Sequence, residues 1–211
     1  MKRGFYFVIL IALLSGCAKE RDNYDTFLTS GSWTLSSSSS ENKNVELLDY
    51  VSALTPDKTT TTQSNFDVAE NSFTNVVLDQ TSYNPGATTF SRVTKKGTAN
   101  SSISFSKDGT YELSDARQDL TTQSDNELVL GPITNLTSYP SSSKRTGVWY
   151  WNNTADTKQE IYMENLGVFK VSISKKSMEL SYNRSNTLVN GSATVTQTST
   201  ESQSVKLKFT K

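Results

Sequence analysis

Apolar and polar residues alternate along most of this chain, and the alternation is strongest in its last third. The stretch from Phe169 to Ile173 has an apolar residue at every second position, and Val205, Leu207 and Phe209 alternate with two lysines. A period of two residues is that of a strand with one face buried and the other in water. This part of the chain therefore predicts six antiparallel strands joined by short turns: Val148 to Trp151, Glu160 to Glu164, Val168 to Ser174, Met178 to Tyr182, Ala193 to Ser199 and Val205 to Phe209.

Strand signals are fewer in the first two thirds of the chain. A first strand is predicted from Ser32 to Ser38. A hairpin is predicted from Ser101 to Ser114, because Asp108 and Gly109 at its middle supply the positive φ angles of a two-residue turn. Shorter strand candidates are Phe66 to Val68, Phe73 to Leu78 and Phe90 to Thr94.

Three segments depart from the alternation. In residues 44–55, apolar residues recur at every third position up to Pro56, which predicts a helix of two to three turns that caps one end of the fold. Residues 57–65 are predicted to be a loop, and residues 115–142, with Pro132 and Pro140, a long irregular segment. The elements together predict an all-β chain of about eight to ten antiparallel strands with one short capping helix. Such a meander closes into a barrel, a flattened barrel or a sandwich.

The amino terminus has the pattern of an export signal. Lys2 and Arg3 precede an apolar stretch from Phe5 to Leu14, which is shorter than the about 20 residues of a transmembrane helix. Cys17 follows Leu-Ser-Gly, and this arrangement resembles the bacterial lipobox, in which the chain is cut before the cysteine and the thiol is acylated. The resemblance implies a signal peptide over residues 1–16, a lipidated tether over 17–30 and a β-domain over 31–211. It also implies a palmitate-type anchor in the outer membrane of the cell envelope.

Composition narrows the chemistry that the domain offers. The chain has no histidine and one cysteine, so acylation of Cys17 leaves no thiol for a disulfide, a zinc site or a nucleophile. Removal of residues 1–16 leaves 19 basic and 21 acidic residues without a basic stripe, which argues against binding of nucleic acid. Asp67, Glu70 and Asp79 lack the spacing of a calcium loop. We therefore expect no metal, no cofactor and no enzyme activity; a glycosidase with paired carboxylates is the remaining enzymatic alternative.

Trp149, Tyr150 and Trp151 form the densest aromatic cluster, with Tyr162 on the next predicted strand. On a strand, Trp149 and Trp151 share one face and Tyr150 takes the other. These four residues are the candidate binding residues, as a stacking platform for sugar rings or an aromatic wall for an apolar ligand. The alternative is that one face is core, because aromatic side chains dominate burial in small β-domains. No catalytic residue is assigned.

Two short motifs resemble a known family. Gly31-Ser32-Trp33 resembles the Gly-x-Trp opening of lipocalins, in which the tryptophan seals one end of the barrel, and Gly147-Val148-Trp149 repeats the spacing. The order of lipobox, Gly-x-Trp, Asp-Gly hairpin and second Gly-x-Trp resembles the lipocalin-like lipoproteins of the Bacteroidetes. The resemblance implies a membrane-anchored, lipocalin-like barrel that binds a small molecule or a protein. The alternative is a surface adhesin or glycan-binding β-sandwich. Neither the ligand nor the oligomeric state follows from the sequence.

Overall fold

Ten antiparallel strands make up most of the described chain, and they close into one barrel. The computed structural model describes residues 23–52, 54–126, 133–152 and 158–211. Each strand pairs with its neighbours in sequence, and the last pairs with the first. The predicted all-β barrel of eight to ten strands with one short helix is confirmed. The elements are α1 (Tyr24–Leu28), β1 (Ser32–Tyr50), β2 (Asp57–Ala69), β3 (Ser72–Asn84), β4 (Thr88–Phe105), β5 (Thr110–Asn126), β6 (Ile133–Trp151), β7 (Glu160–Met163), β8 (Gly167–Ile173), β9 (Ser177–Gly191) and β10 (Val195–Thr210).

The two ends of the barrel are built from different strands. At one end, which we call the plugged end, residues 32–34 of β1 pair directly with 102–104 of β4, and β7 and β8 lie between β6 and β9. At the other end, the open end, β2 and β3 separate β1 from β4. Strands β7 and β8 have only 4 and 7 residues, so among the described residues no strand lies between β6 and β9 there. The wall therefore has a lateral opening between β6 and β9.

Two β-bulges lie around the point where the β2–β3 hairpin enters the wall. One adds Ser36 to β1, and the other adds Leu120 to β5, opposite Lys96 and Gly97 of β4. A bulge adds a residue to one strand and bends it. At Gly97 a Cβ atom would lie 2.0 Å from the backbone oxygen of Gln118, so this bend requires glycine. The bends let the wall change from direct β1–β4 pairing to pairing through the inserted hairpin.

The main core fills the plugged end around Trp33, which is fully buried. The indole Nε1 of Trp33 donates to the carbonyl oxygen of Leu28 at 3.0 Å, and the Lys211 ammonium lies 4.1 Å from the ring centroid. Partial burial lowers the pKa of Lys211. Trp33 is thus a buried side chain at one end of the barrel, the plugged end. The other buried residues of this core are Leu28, Ile103, Phe105, Tyr111, Trp149, Ile161, Met163, Phe169, Ile173, Met178, Leu180 and Phe209.

The short helix is not where the apolar spacing predicts it. Residues 44–50 belong to β1, and the helix is α1, which lies inside the segment expected to be a polar tether. In β1, Val45 and Leu47 face one side of the sheet and Leu48 the other, so the spacing does not produce a single apolar stripe. Backbone pairing with β2 and β10 on both sides fixes the strand instead. No helix among the described residues is both long and apolar enough to cross a membrane.

The two predicted loops are also wrong. Residues 57–65 lie in β2, and the described parts of 115–142 belong to β5 and β6. These segments are rich in serine, threonine and glutamine on both faces. They therefore lack the apolar alternation that marks a strand with a buried face, although threonine itself favours strands.

Candidate functional site

The predicted aromatic cluster lies on β6 and β7 at the plugged end, with its two faces in different surroundings. Trp149 and Trp151 face inward, while Tyr150 pairs with Tyr162 of β7 on the outer face. Trp149 is buried in the main core, where its Nε1 donates to the carbonyl oxygen of Ser106 at 3.1 Å. Its side chain is therefore engaged by the core. The predicted lipid-attachment residue, Cys17, lies outside the described residues.

Trp151 is half-buried between the main core and α1. Its ring is edge-on to Trp149, with the ring centroids 6.1 Å apart, and lies 6.5 Å from the ring of Tyr24. Its Nε1 donates to a carboxylate oxygen of Asp25 at 2.6 Å, and the other oxygen accepts from Lys158 Nζ at 2.5 Å. Trp151 thus holds α1 against the barrel, and this contact covers part of its surface.

Tyr150 and Tyr162 form an aromatic pair on the outside of the barrel. Their ring centroids are 4.7 Å apart and the rings are inclined by 27°. Tyr150 is 52% exposed, and the nearby Val148 and Val168 are exposed too. A solvent-facing aromatic surface with apolar edges suits stacking with a sugar ring. Binding by these two tyrosines stays a prediction.

A second group of charged, polar and apolar side chains meets inside the barrel, next to the main core on the side of the open end. We call this the lumen cavity; its volume is about 170 Å³. Alternate positions of β5 line the cavity with one apolar side chain, Leu113, and two charged side chains, Asp115 and Arg117. The remaining lining is apolar on β1 and β10 and polar on β4 and β6: Leu35, Leu207, Phe209, Ser101, Ser143 and Arg145.

Arg117 is held in one orientation inside the lumen cavity. Its Nη2 lies 2.7 Å from a carboxylate oxygen of Asp115, and the other oxygen of Asp115 accepts from the Ser101 hydroxyl at 2.5 Å. The guanidinium also lies over the Phe66 ring, 4.3 Å from its centroid, and that ring stacks on Phe73. A carboxylate at one edge and an aromatic ring on one face restrict the guanidinium.

The inward face retains hydrogen-bonding capacity that no described protein group uses. Arg117 Nε, Ser38 Oγ and Asn75 Oδ1 are buried without a partner. Ser38 is only 8% exposed, and its neighbours across the sheet are Leu207 and Val68. A buried polar atom without a partner costs about 1–3 kcal/mol, so these atoms favour the entry of a polar group. Arg117 Nε and the Ser38 hydroxyl can donate to acceptor oxygens of a ligand, whereas Asn75 Oδ1 can only accept.

The lumen cavity has a positive charge and a route from solvent. Arg117 and Arg145 face a single carboxylate, that of Asp115. Arg145 is exposed on the part of β6 that pairs only with β5 among the described strands, beside the lateral opening. The charge therefore favours an anion that enters through the lateral opening.

Other features of the described residues fit a ligand less well. One concavity of about 680 Å³ is an open groove that includes outward residues of β4, β5 and β6 and is lined mainly by small and polar residues. A more enclosed cavity with apolar walls and a few convergent polar groups holds a small molecule better. No group of three or more histidine, cysteine, aspartate or glutamate residues in the described part of the chain could hold a metal ion.

Sequence reasoning did not find the charged residues of the lumen cavity. Asp115 and Arg117 lie in the segment predicted to be irregular. One signal was available, because both continue the alternate positions of Tyr111 and Leu113 on the predicted strand. Extension of that strand by three residues, to Arg117, places both charges on the inward face.

Comparison with known proteins does not assign a family. No protein-family model and no curated protein matches the chain. Among solved structures, the chain is similar to Neisserial surface protein A, with 11% identity and a TM-score of 0.20 over 82% of this chain and 97% of that chain. It is similar to Ail of Yersinia pestis, solved with the heparin analogue sucrose octasulfate, with 7% identity and a TM-score of 0.17 over 84% and 99%. The Salmonella secretin InvG gives 10% identity and a TM-score of 0.20 over 85% and 58%. Structural similarities with TM-scores this low support no conclusion about function.

Proposed function

We propose that this protein is an exported, lipid-anchored β-barrel that binds a small amphiphilic anion in its lumen. The observation that carries the proposal is Arg117, which Asp115 and Phe66 hold beside an apolar wall while its buried Nε has no partner. An acidic head group accepts hydrogen bonds from the guanidinium, and an apolar tail packs against Leu113 and Leu207. The lipocalin-like resemblance agrees with this use of the barrel.

The volume of the lumen cavity limits the size of the ligand. About 170 Å³ corresponds to roughly six water molecules at about 30 Å³ each, enough for a carboxylate and a few methylene groups. A longer tail extends towards the lateral opening between β6 and β9. The proposed ligand class is therefore a short- or medium-chain carboxylate.

Titration calorimetry with octanoate and octanol tests the lumen site. Both probes have the same tail, and only octanoate carries a charge. Hydrogen bonds to a charged group contribute about 1.5–3 kcal/mol, so octanoate is expected to bind about tenfold to a hundredfold more tightly. Equal binding of the two probes would contradict the role of the guanidinium.

Substitution then tests Arg117 itself. Arg117→Gln is expected to remove most of the preference for octanoate over octanol. Lys144→Gln is the matched control, because it also removes one positive charge but from the outer face of β6, where Lys144 pairs with Glu112 at 2.8 Å. An Arg117→Gln variant that keeps the preference shows that the anion binds elsewhere.

The proposed anchor is a lipid on Cys17. Each buried methylene contributes about 0.8 kcal/mol to membrane binding, so two or more acyl chains anchor the chain firmly. Cys17→Ser is expected to abolish incorporation of labelled palmitate. The variant is expected either to remain uncleaved or to enter the aqueous phase of a Triton X-114 separation. A variant that still carries the acyl label in the detergent phase contradicts the anchor at this residue.

Glycan contact is a second candidate function, favoured by the stacked Tyr150 and Tyr162 on the outer face. Electrophoresis of the native protein in gels containing dextran separates the two candidates. Tyr150→Ala is expected to lose any retardation by dextran and to leave octanoate binding unchanged. Retardation that survives this substitution excludes the tyrosine pair as the glycan contact.

A further inference from the structure

The chain that leads from the proposed anchor joins the barrel at a fixed place on the plugged end. The Asp25 carboxylate of α1 accepts hydrogen bonds from Lys158 and Trp151 at 2.5 and 2.6 Å. At the other side of α1, the Lys211 ammonium donates to the carbonyl oxygen of Phe27 at 3.1 Å and to the hydroxyl of Ser30. Because α1 is bound at both sides, the chain before Asn23 starts from the plugged end.

The tether is short compared with the barrel. Five residues, 18–22, separate Cys17 from Asn23, and even a fully extended chain of this length spans only about 20 Å. The 19 residues of β1 extend about 60 Å along the strand, from the plugged end to the open end. An acylated Cys17 therefore keeps the plugged end close to the membrane.

The turns at the plugged end carry exposed lysines. Lys107 lies in the β4–β5 turn, and Lys175 and Lys176 lie in the β8–β9 turn. The acidic neighbour in the first turn, Asp108, accepts hydrogen bonds from the backbone N–H and hydroxyl of Thr110 at 3.0 and 2.7 Å. The acidic residue of α1, described above, is paired with a lysine. The β4–β5 and β8–β9 turns thus contain three lysines and one aspartate, which gives these two turns together a net charge of +2.

The turns at the open end differ in charge. Their described residues, 51, 52, 54–56, 85–87 and 192–194, include no charged side chain. Val51 and Leu54 in the β1–β2 turn are 75% and 96% exposed. Of the two ends, only the plugged end combines the tether with a charge that complements an acidic bilayer.

We propose that the plugged end rests on anionic phospholipid head groups through Lys107, Lys175 and Lys176, so that the open end points away from the membrane. The proposal rests on the anchor at Cys17 described under the proposed function, and it is independent of the ligand in the lumen. In this orientation the lateral opening is set back from the lipid surface, and the amphiphilic ligand reaches the lumen from the aqueous side.

Site-specific labelling of the acylated protein tests the orientation. Because acylation blocks the thiol of Cys17, an added cysteine is the only free thiol in the chain. Bimane is attached at Lys176→Cys or, as the matched position at the open end, at Leu54→Cys. The proteins are reconstituted in vesicles of three parts phosphatidylcholine and one part phosphatidylglycerol with a head-group spin-labelled lipid as quencher. The label at position 176 is expected to be quenched strongly and the label at 54 weakly; equal quenching or the reverse order overturns the proposal.

Flotation of the unacylated Cys17→Ser chain with the same vesicles tests the lysines separately from the anchor. The triple substitution Lys107→Gln, Lys175→Gln and Lys176→Gln is expected to weaken vesicle binding about tenfold to a hundredfold. The control triple Lys43→Gln, Lys58→Gln and Lys96→Gln removes the same charge from other parts of the barrel and is expected to bind like the parent. An equal loss in both triples, or no loss in the first, contradicts the head-group contact. Absence of acyl chains by mass spectrometry would instead contradict the anchor.

Discussion

Each tryptophan of the chain donates its indole hydrogen bond to a different part of the plugged end. Trp33 donates to the carbonyl that ends α1, Trp149 to a carbonyl in the β4–β5 turn and Trp151 to the Asp25 carboxylate. A buried indole N–H requires such an acceptor. These residues therefore fix the relative positions of the helix, the turn and the barrel in addition to filling the core.

Substitution of Trp151 tests whether this residue belongs to the core or to a ligand-binding surface. Trp151→Ala is expected to lower the free energy of unfolding by about 2–4 kcal/mol, because it removes a large half-buried side chain and the partner of Asp25. Urea unfolding measures the change. Tyr150→Ala is the control on the same strand, and the exposure of Tyr150 gives an expected loss below about 1 kcal/mol. Unchanged stability of Trp151→Ala together with weaker ligand binding would make Trp151 a contact residue instead.

Among the elements, the strands with one buried face were predictable and those with two polar faces were not. The alternation in β8 and the Asp108-Gly109 turn identify their strands from sequence, and the structure has them. In residues 57–65 of β2 and in β5 beyond residue 115, both faces are mostly polar and half-exposed, so no period appears in the hydropathy. Hydrogen bonds to the neighbouring strands on both sides stabilise these segments. Since Arg117 lies in such a segment, the candidate site was missed for the same physical reason.

The attachment of α1 to the barrel is expected to depend on pH through Asp25. Partial burial raises the pKa of this carboxyl, but the hydrogen bonds from Lys158 and Trp151 and the charge of Lys158 outweigh it, so the pKa is lowered. The folded state then holds the proton less tightly than the unfolded chain does. The contact therefore stabilises the fold above about pH 4, the ordinary pKa of aspartate, and is lost as the pH falls through the lowered value.

Asp25→Asn isolates this contribution. The variant is expected to be less stable than the parent by at most about 1 kcal/mol at pH 6, because the Asp25 carboxylate is half-exposed and the ion pair is partly screened. The difference is expected to shrink at pH 3. Urea unfolding of both proteins at the two pH values measures it, and the comparison cancels the titration of the other carboxyls. A difference that stays constant with pH would show that the charge of Asp25 does not hold α1.

The whole molecule combines a packed end with a polar, thinly packed end in one continuous sheet. Trp33 and the rest of the main core lie at the plugged end, and a smaller cluster of Val68, Phe73 and Ala99 lies near the entry of the β2–β3 hairpin. Beyond that level the long strands are exposed or half-exposed on both faces. Local stability follows buried apolar contacts, so it is expected to decrease along each strand towards the open end.

Strand β9 crosses both regions and therefore tests this gradient within one element. Its first residues, Met178 to Tyr182, pack in or against the main core and pair mostly with both β8 and β10, whereas Asn183 to Gly191 are exposed and pair only with β10. Hydrogen exchange followed by mass spectrometry is expected to show amides of the second part exchanging at least about a hundredfold faster than hydrogen-bonded amides of the first, through local opening.

The corresponding halves of β10, Val205 to Phe209 and Thr196 to Thr200, serve as a second comparison, because β10 is paired on both sides throughout. A smaller difference in β10 than in β9 identifies the missing neighbour at the lateral opening as the cause. Equal protection along the whole of β9 would mean that the barrel opens only as one cooperative unit and that the open end is as stable as the plugged end.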